Sequence, residues 1–354
     1  MRVQPLVIGD LAVPIPVVQA GMGVQVAKSD LAAAVARAGA IGCISSVGLG
    51  TLEGSYAQYT EESAKHLAME IRRARELAPK GVLAVNVMVA LANYDEIVGV
   101  CVREKVDIII SGAGLPLSLP GLMNGSTVKL VPVVSSGRAM KVILKAWHRR
   151  YERLPDAVVI EGPLCGGHLG FTCAQLAAPE TVPITGILAD IRAELAPFEA
   201  LYGRRVPLIG AESIVTADDA VKMIGLGFDG VQIGTRFICT EESGIARASK
   251  EMYVRARERD VILIASPMGM PVRVLRTPLT ERVEKGEKIP FKCPFQCLRA
   301  CQANTARFCI ADAMVNNVFG NTDEAIFLTG PAIGRVNNII PAEEFFEPFK
   351  GICA

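Results

Sequence analysis

One histidine stands in a glycine-rich run that directly follows an apolar segment. His168 belongs to the sequence EGPLCGGHLG, which begins at Glu161, and the chain has only two other histidines. Glycine lets a backbone lie close to a flat or charged ligand where a side chain would collide. Histidine readily exchanges a proton near neutral pH. The pattern indicates a strand end where a cofactor lies against main chain and His168 faces the reacting atom; the alternative is a structural histidine in a turn.

Four cysteines near the end of the chain form a second group of residues that could bind a metal or take part in redox chemistry. Cys293, Cys297, Cys301 and Cys309 occur in CPFQCLRACQANTARFC. Pro294 suits a first helical turn, which would place Cys297 and Cys301 one turn apart on one face. Four such thiolates could bind an iron–sulfur cluster or zinc, although the spacing matches neither common zinc sites nor a ferredoxin pattern. Buried apolar thiols or a redox-labile pair are the alternative.

Composition limits the classes of protein to consider. The chain has 354 residues, 51% hydrophobic content, ten cysteines and a formal net charge of +1. This content supplies a large core and disfavours disorder, and the balanced charge favours neither nucleic acid nor a membrane surface as a partner. The first residues lack a signal-peptide layout, and ten cysteines without one point to reduced thiols. We expect a cytoplasmic protein with a small-molecule substrate, and a homo-oligomer is compatible with the sequence.

Short apolar runs alternate with helical patterns along most of the chain. Eight runs predict parallel strands buried on both faces, at residues 16–19, 41–45, 82–88, 106–111, 129–135, 157–161, 207–211 and 230–234. Helices are predicted at residues 31–38, 62–77, 94–104, 139–151 and 217–224, with further helix within 181–202. Eight βα units favour an α/β fold, a (β/α)8 TIM barrel, over a doubly wound open sheet. Residues 241–259 read as one long helix.

Small and amide-bearing residues follow several of the predicted strands. Barrel active sites lie at the carboxyl ends of the strands, where these residues would converge on a planar heterocycle. Main-chain N–H groups at Gly234 and Thr235, with the helix N-terminus after Ser213, could hold a phosphate; an ordinary turn is the alternative. The candidate ligand-binding residues at the strand ends are Gly21, Met22, Gly23, Asn86, Glu161, Gly166, Gly167, Gly210, Ser213, Gln232, Gly234 and Thr235.

These motifs resemble those of the nitronate monooxygenase family, also called 2-nitropropane dioxygenases, and of the related flavin-dependent enoyl-acyl-carrier-protein reductases. The matching pieces are QAGMG, AVNVMV, GAG, EGPLCGGHLG and GVQIGTRF, in family order over about two thirds of the chain. The resemblance implies an FMN-binding TIM barrel in which the strand-end residues contact flavin and His168 is catalytic. Glu161 is more similar to the reductase branch, since monooxygenases often have Gln there. Glu212 and Ser213 replace two glycines of many relatives, so Glu212 must turn away from a phosphate or pair with a cation such as Arg236.

The sequence thus predicts three parts: an FMN-binding barrel at 1–240, a helical lobe over the barrel mouth at 241–321 that carries the cysteines, and a C-terminal segment at 322–354 that packs back on the barrel. The expected activity is that of an FMN-dependent oxidoreductase acting on a nitronate-like substrate with His168 as acid or base. The alternatives are an NAD(P)H-dependent enoyl-thioester reductase, a flavin-free barrel acting on a sugar phosphate, and a metal- or cluster-carrying protein on a barrel scaffold.

Overall fold

Eight parallel strands close into a barrel in this computed structural model, which describes residues 2–50, 56–293 and 296–353. Around the closed sheet each barrel strand pairs with the next in the chain, and the last pairs with the first. The (β/α)8 prediction is confirmed. The strands are β1 (Leu6–Ile8), β2 (Leu11–Val13), β3 (Val17–Gln19), β4 (Ile41–Ser45), β5 (Val82–Met88), β6 (Ile108–Gly112), β7 (Lys129–Val134), β8 (Val158–Glu161), β9 (Gly167–His168), β10 (Leu208–Ala211), β11 (Gly230–Ile233), β12 (Val261–Ala265) and β13 (Pro271–Leu275). Of these, β1, β2, β9, β12 and β13 lie outside the barrel.

Continuous apolar runs form the barrel because both faces of each strand are covered. Every residue of β4 and of β6 is buried. Side chains such as Val18, Ile110 and Ile209 fill the interior, while a larger cluster lies between the strands and the surrounding helices. The helices are α1 (Ser29–Arg37), α2 (Tyr56–Leu77), α3 (Tyr94–Arg103), α4 (Gly137–Tyr151), α5 (Cys173–Ala177), α6 (Ile184–Tyr202), α7 (Ala217–Gly225), α8 (Thr235–Ile238), α9 (Arg247–Arg255), α10 (Pro278–Glu284) and α11 (Ile310–Phe319).

The predicted long helix at 241–259 is wrong. α9, Arg247–Arg255, is the only α-helix in this stretch, and a short 3-10 helix begins at Glu258. Gly244 packs so tightly against the backbone of Gln25 that any side chain there would collide with it. Ser243 also donates a hydrogen bond to the carbonyl of Ile238 at 2.7 Å. These contacts fix a turn against the barrel before the helix can begin, and helical periodicity alone does not reveal them.

The lobe over the barrel mouth holds α9 to α11 and, in addition, an antiparallel hairpin that the sequence analysis did not predict. Strand β12 pairs with β13, and β13 pairs in turn with the two-residue strand β9. His168 lies opposite Val272, and Gly167 lies opposite Arg273. A short piece of the barrel loop after β8 is therefore built into the sheet of the lobe.

The C-terminal residues lie against the barrel helices. Phe345 and Phe346 are buried, and their rings lie 5.2 and 5.7 Å from the ring of Phe237 at the end of the barrel. Val3 and Cys353 form an isolated parallel bridge. These contacts are those expected of a C-terminal segment that packs back on the barrel. The boundaries of the three predicted parts stay a prediction. Within the described residues, no helix is both long and apolar enough to cross a membrane.

Candidate active site

A cavity of about 670 Å³ opens at the carboxyl ends of the barrel strands, beneath the lobe. This size is typical of a small-molecule or cofactor site. Almost all of the predicted strand-end residues line it together: Gly21, Met22, Gly23, Asn86, Glu161, Gly166, Gly167, His168, Ser213, Gln232, Gly234 and Thr235. Gly210 does not, because it faces outward, where a Cβ would lie 2.9 Å from Met223 and 3.0 Å from Phe228.

His168 is held between the barrel and the lobe. Its Nε2 lies 2.8 Å from the hydroxyl oxygen of Ser266, which belongs to the turn between β12 and β13. The same oxygen accepts the backbone N–H of Met268 at 3.2 Å. Burial lowers the pKa of His168 to about 4, because desolvation disfavours the charged imidazolium. The ring is therefore neutral near pH 7 and can accept a proton.

Glu161 is a second titratable group on the cavity wall. Burial raises its pKa to about 7, because the carboxylate is desolvated where β8 ends. Within the described part of the chain, its carboxyl group has no hydrogen-bond or salt-bridge partner. At neutral pH a large share of Glu161 is protonated and can donate a hydrogen bond to a ligand in the cavity.

Glu212 lines the cavity and is hydrogen-bonded to the loop after β8. Its Oε1 accepts the backbone N–H of Leu164 at 2.7 Å, on the loop after β8. The cation near this carboxylate is Arg273, not the Arg236 considered from the sequence. Arg236 instead donates to Asn338 and to the carbonyl of Cys239. The carboxylate thus holds the glycine-rich loop through this hydrogen bond.

Arg273 links the lobe to this same loop. It is 5% exposed and its Nη1 donates to the carbonyl of Pro163 at 2.8 Å and to that of Cys165. Burial lowers the pKa of the guanidinium, yet the group stays charged because its ordinary value is so high. Ser266 and Arg273 are both site residues that the sequence analysis missed. Each lies about a hundred residues from the loop it contacts, so no local pattern could reveal it.

The glycines of the cavity differ in what a side chain at each position would contact. A Cβ on Gly21 would collide with Asn86, and one on Gly166 would collide with the backbone at Thr329 and Gly330. These two permit close packing of the protein against itself. At Gly234, by contrast, the nearest atoms to a Cβ would be Ala20 at 3.6 Å and Met22 at 3.9 Å, so a methyl group there would make only ordinary van der Waals contacts with the protein.

Buried polar atoms without partners mark where a ligand would bind. Gln232 Oε1, Ser45 Oγ and Asn317 Oδ1 are buried and unpaired among the described residues, and all three residues line the cavity. Leaving such atoms unpaired costs about 1–3 kcal/mol each. A planar heterocycle whose edge carries an N–H donor and carbonyl acceptors, as that of flavin does, would pair Gln232 Oε1 and Ser45 Oγ. The residues present fit that group.

The predicted contacts to a phosphate include the helix N-terminus after Ser213. This helix begins at Ala217, and its capping box already uses the amides of Val215, Thr216 and Asp219. Ser213 adopts a positive φ of 52° and its hydroxyl lies 3.4 Å from the carbonyl of Leu164.

After the end of β11, the hydroxyl oxygen of Thr235 accepts the N–H of Gly330 at 3.4 Å. The peptide groups of Gly234 and Thr235 stay predicted contacts to a phosphate, and both residues line the cavity.

The cysteine group is arranged differently from the prediction. Residues 296–301 are not helical, so Cys297 and Cys301 do not share a helix face. Pro294, on which that prediction depended, lies outside the described residues. Cys297 lines the cavity, while Cys293, Cys301 and Cys309 do not. Across residues 2–50, 56–293 and 296–353, no three Cys, His, Asp or Glu side chains are placed to hold a metal ion.

A family model described as nitronate monooxygenase matches residues 5–349. The chain belongs to this family, which confirms the resemblance of its motifs and the expected oxidoreductase class. FabK from Thermotoga maritima is 26% identical and superposes with a TM-score of 0.73 over 96% of this chain and 92% of its own.

Two curated relatives extend the comparison. A probable nitronate monooxygenase of Staphylococcus aureus (strain MSSA476) is 22% identical over 93% of this chain and 94% of its own length. An indene-carboxyl-CoA dehydrogenase of Mycobacterium tuberculosis, (3aS,4S,5R,7aS)-5-hydroxy-7a-methyl-1-oxo-octahydro-1H-indene-4-carboxyl-CoA dehydrogenase, is 26% identical over 77% of this chain. The match spans 66% of that relative's length.

Proposed function

We propose that this protein is an FMN-dependent oxidoreductase whose flavin occupies the cavity at the carboxyl ends of the barrel strands. The observation that carries the proposal is the buried, unpaired Oε1 of Gln232 on the wall of the cavity that Gly234 also lines. Gln232, Asn86 and Glu161 would hold the ring system, and the peptides of Gly234 and Thr235 the phosphate. Bound FMN supplies the electron transfer that no side chain of the cavity can perform.

His168 is the group that moves a proton. The hydroxyl oxygen of Ser266 has two lone pairs, so it can accept Nε2–H of His168 as well as the N–H of Met268. The neutral ring then carries its proton on Nε2, which leaves Nδ1 free to accept a proton, and Ser266 fixes this tautomer. A neutral imidazole in a desolvated cavity can exchange a proton with the carbon of a nitronate-like substrate.

The leading reaction is the oxidation of a nitronate-like carbon acid, in keeping with the family to which the chain belongs. Neutral His168 would remove the proton next to the nitro group when the substrate arrives as the parent nitroalkane, and it does not add positive charge to a buried apolar site. The apolar outer wall, formed by Met268, Met270, Leu298 and Leu328, excludes water from the reacting atoms.

A second candidate is an NAD(P)H-dependent reductase of an unsaturated thioester. Glu161 favours it, because this carboxyl group is the feature of the glycine-rich loop that is most similar to the reductase branch. The two comparisons at 26% identity, with FabK and with a dehydrogenase named for a CoA thioester, favour it as well. In this reaction His168 or protonated Glu161 would supply the proton to the substrate.

Two assays on the purified protein separate the candidates. Oxygen uptake with a primary nitronate supports the first. Anaerobic bleaching of the flavin bands by NADPH, reversed by a crotonyl thioester, supports the second. Protein that binds FMN and responds to neither would reject both substrates while leaving the flavin assignment intact, and protein that refuses FMN would reject the whole proposal.

A further inference from the structure

One buried polar atom of the cavity wall has no partner in the protein and none in the proposed flavin site. Gln232 and Ser45, whose unpaired oxygens the flavin edge would pair, belong to the barrel strands β11 and β4. Asn317 belongs instead to α11 of the lobe, and its Oδ1 is buried and unpaired among the described residues. Asn317 lines the cavity and is 5% exposed. Its oxygen is therefore left for a ligand other than the flavin ring.

The two polar atoms of the Asn317 amide have different surroundings. Burial raises the pKa of the Tyr253 hydroxyl, and a side-chain hydrogen bond with Asn317 opposes this rise. A hydrogen bond lowers the pKa of a phenol when it is donated to the phenol oxygen. The amide Nδ2 is thus the donor, since the Tyr253 hydroxyl gives its own proton to the carbonyl of Leu328 at 3.3 Å. Oδ1 is left as an acceptor, and its partner must present an N–H or O–H group.

The backbone of Asn317 is held between two helices of the lobe. Ser249 Oγ on α9 donates to the carbonyl of Asn317 at 2.6 Å. The N–H of Ala246 donates to the carbonyl of Val318 at 3.0 Å. These bonds join the start of α9 to the end of α11, so the position of the amide is set by the packing of the two helices. A contact that selects a ligand needs such a rigid support.

The cavity wall around α11 is otherwise apolar. Ile310, Met314, Ile326 and Leu328 line the cavity and belong to, or pack against, one apolar cluster of the lobe. Within the described part of the lobe, Asn317 is the one carboxamide on this wall. A single polar group in an apolar pocket fixes the orientation of the ligand. The part of a ligand that lies here is therefore apolar and carries one hydrogen-bond donor.

We propose that Asn317 determines substrate specificity by accepting a hydrogen bond from an N–H or O–H group on an otherwise apolar substrate. The inference rests on the proposed function in one respect, that FMN occupies the strand-end side of the cavity and leaves the lobe side to the substrate. Neither a nitro group nor an enoyl thioester carries such a donor, so it belongs to another part of the substrate. That part is a hydroxyl on the chain of a nitro compound, or an amide in the thiol arm of a thioester.

Two pairs of ligands that differ in the donor test the inference and separate these two sources. The first pair is the crotonyl thioester of N-acetylcysteamine and its analogue with an ester oxygen in place of the amide N–H. The second pair is 4-hydroxybutyrate and pentanoate, whose planar carboxylates stand in for a nitronate and do not react. Calorimetry on the oxidised, FMN-loaded protein without NADPH gives dissociation constants that do not depend on turnover.

The wild type should bind the donor-bearing member of one pair at least about fivefold more tightly than its analogue, because the analogue leaves Oδ1 unpaired. Preference within the first pair identifies a thioester arm, and preference within the second identifies a hydroxylated substrate. Asn317→Leu should reduce the ratio to about one, chiefly by weakening the donor-bearing ligand, and Asn317→Ala should do the same if leucine disturbs the packing.

Asn316→Ala is the matched control on the same helix. Asn316 does not line the cavity, and its side chain is hydrogen-bonded to the carbonyl of Glu324 and to Asn321. This variant should keep the ratio of the wild type. Thermal unfolding of the ligand-free protein should change little with Asn317→Leu, because the substitution removes an unpaired buried acceptor together with the bond to Tyr253.

Two results would overturn the inference. One is a wild type that shows no preference for the donor within either pair, and the other is a preference that both Asn317 variants retain. FMN content is measured on every protein and is a separate readout. Protein that takes up no FMN contradicts the proposed function, whereas a donor preference that both Asn317 variants lose supports the role of Asn317 in either case.

Discussion

The imidazole Nε2 of His168 lies 2.8 Å from the hydroxyl oxygen of Ser266, although 98 residues separate them in the chain. The contact joins the glycine-rich loop of the barrel to the hairpin turn of the lobe. Strand β9 fixes the backbone of His168 against β13, and the turn between β12 and β13 fixes its ring. The lobe therefore positions the candidate acid–base group and does more than cover the cavity.

Replacing Ser266 by Ala should lower kcat about fivefold, with little change in FMN binding. The reason is that one hydrogen bond of about 1 kcal/mol, which orients the ring and selects its tautomer, is lost. Steady-state kinetics and FMN titration measure the two effects. Ser266→Thr keeps the hydroxyl and should recover most of the rate; a rate that neither substitution alters would show that Ser266 has no positioning role.

His168→Gln should reduce turnover by at least about a hundredfold while FMN stays bound, since a general acid or base typically contributes that much. In the wild type, activity should fall as pH drops toward about 4, because the folded protein protonates His168 only there. Activity that falls already at the ordinary histidine pKa would contradict the buried, neutral ring.

The two buried titratable groups should give opposite dependences of stability on pH. His168 binds its proton less readily when folded, so the folded protein loses stability as pH falls from about 6.5 to about 4. Glu161 keeps its proton up to about pH 7 when folded but only to about 4.5 when unfolded. The folded protein therefore loses stability as pH rises from about 4.5 to about 7, by about 1–3 kcal/mol at most.

Glu161→Gln should accordingly raise the free energy of unfolding at pH 8 and leave it nearly unchanged at pH 4. Urea titrations at the two pH values measure this difference. Glu180→Gln, on the surface, is the matched control and should change neither value. Equal effects of Glu161→Gln at both pH values would mean that this carboxyl group is not held protonated.

Arg273→Met should destabilise the protein by about 2–4 kcal/mol and loosen the glycine-rich loop. The substitution leaves the carbonyl groups of Pro163 and Cys165 unpaired and removes the cation near Glu212. Thermal unfolding measures the loss, and hydrogen exchange of the amides at 162–168 reports on the loop. Glu212→Gln in the same background should restore part of the stability; no recovery would show that the two charges are not coupled.

Much of the barrel could be predicted from sequence because each strand is a short, continuous apolar run between helical patterns. β4 and β5 begin and end at the predicted residues, and the capping box of Thr216 and Asp219 is present. The residues that line the cavity could be predicted for the same reason. A parallel barrel brings the carboxyl end of every strand to one face, so a motif placed after a strand is also placed near the others.

The lobe could not be predicted in this way, because its structure depends on contacts between distant segments. Strand β9 has only two residues and exists because β13 pairs with it. Nothing in the sequence near Ser266 or Arg273 indicates that these side chains contact the loop after β8. Likewise, Gly244 stops a helix because of its contact with Gln25 and not through its own backbone preference alone.

The central claim is that FMN binds in the cavity against Gly234. Titration of apo protein with FMN, measured as quenching of flavin fluorescence, tests it by comparing the wild type with Gly234→Ala. The account predicts a stoichiometric complex for the wild type. It predicts at least about tenfold weaker binding for Gly234→Ala at unchanged thermal stability, because a methyl group there meets only ordinary contacts within the protein but intrudes on the ligand. Gly225→Ala, whose Cβ would meet nothing within 4 Å, should bind as the wild type does. No binding by the wild type, or equal binding by Gly234→Ala, would contradict the account.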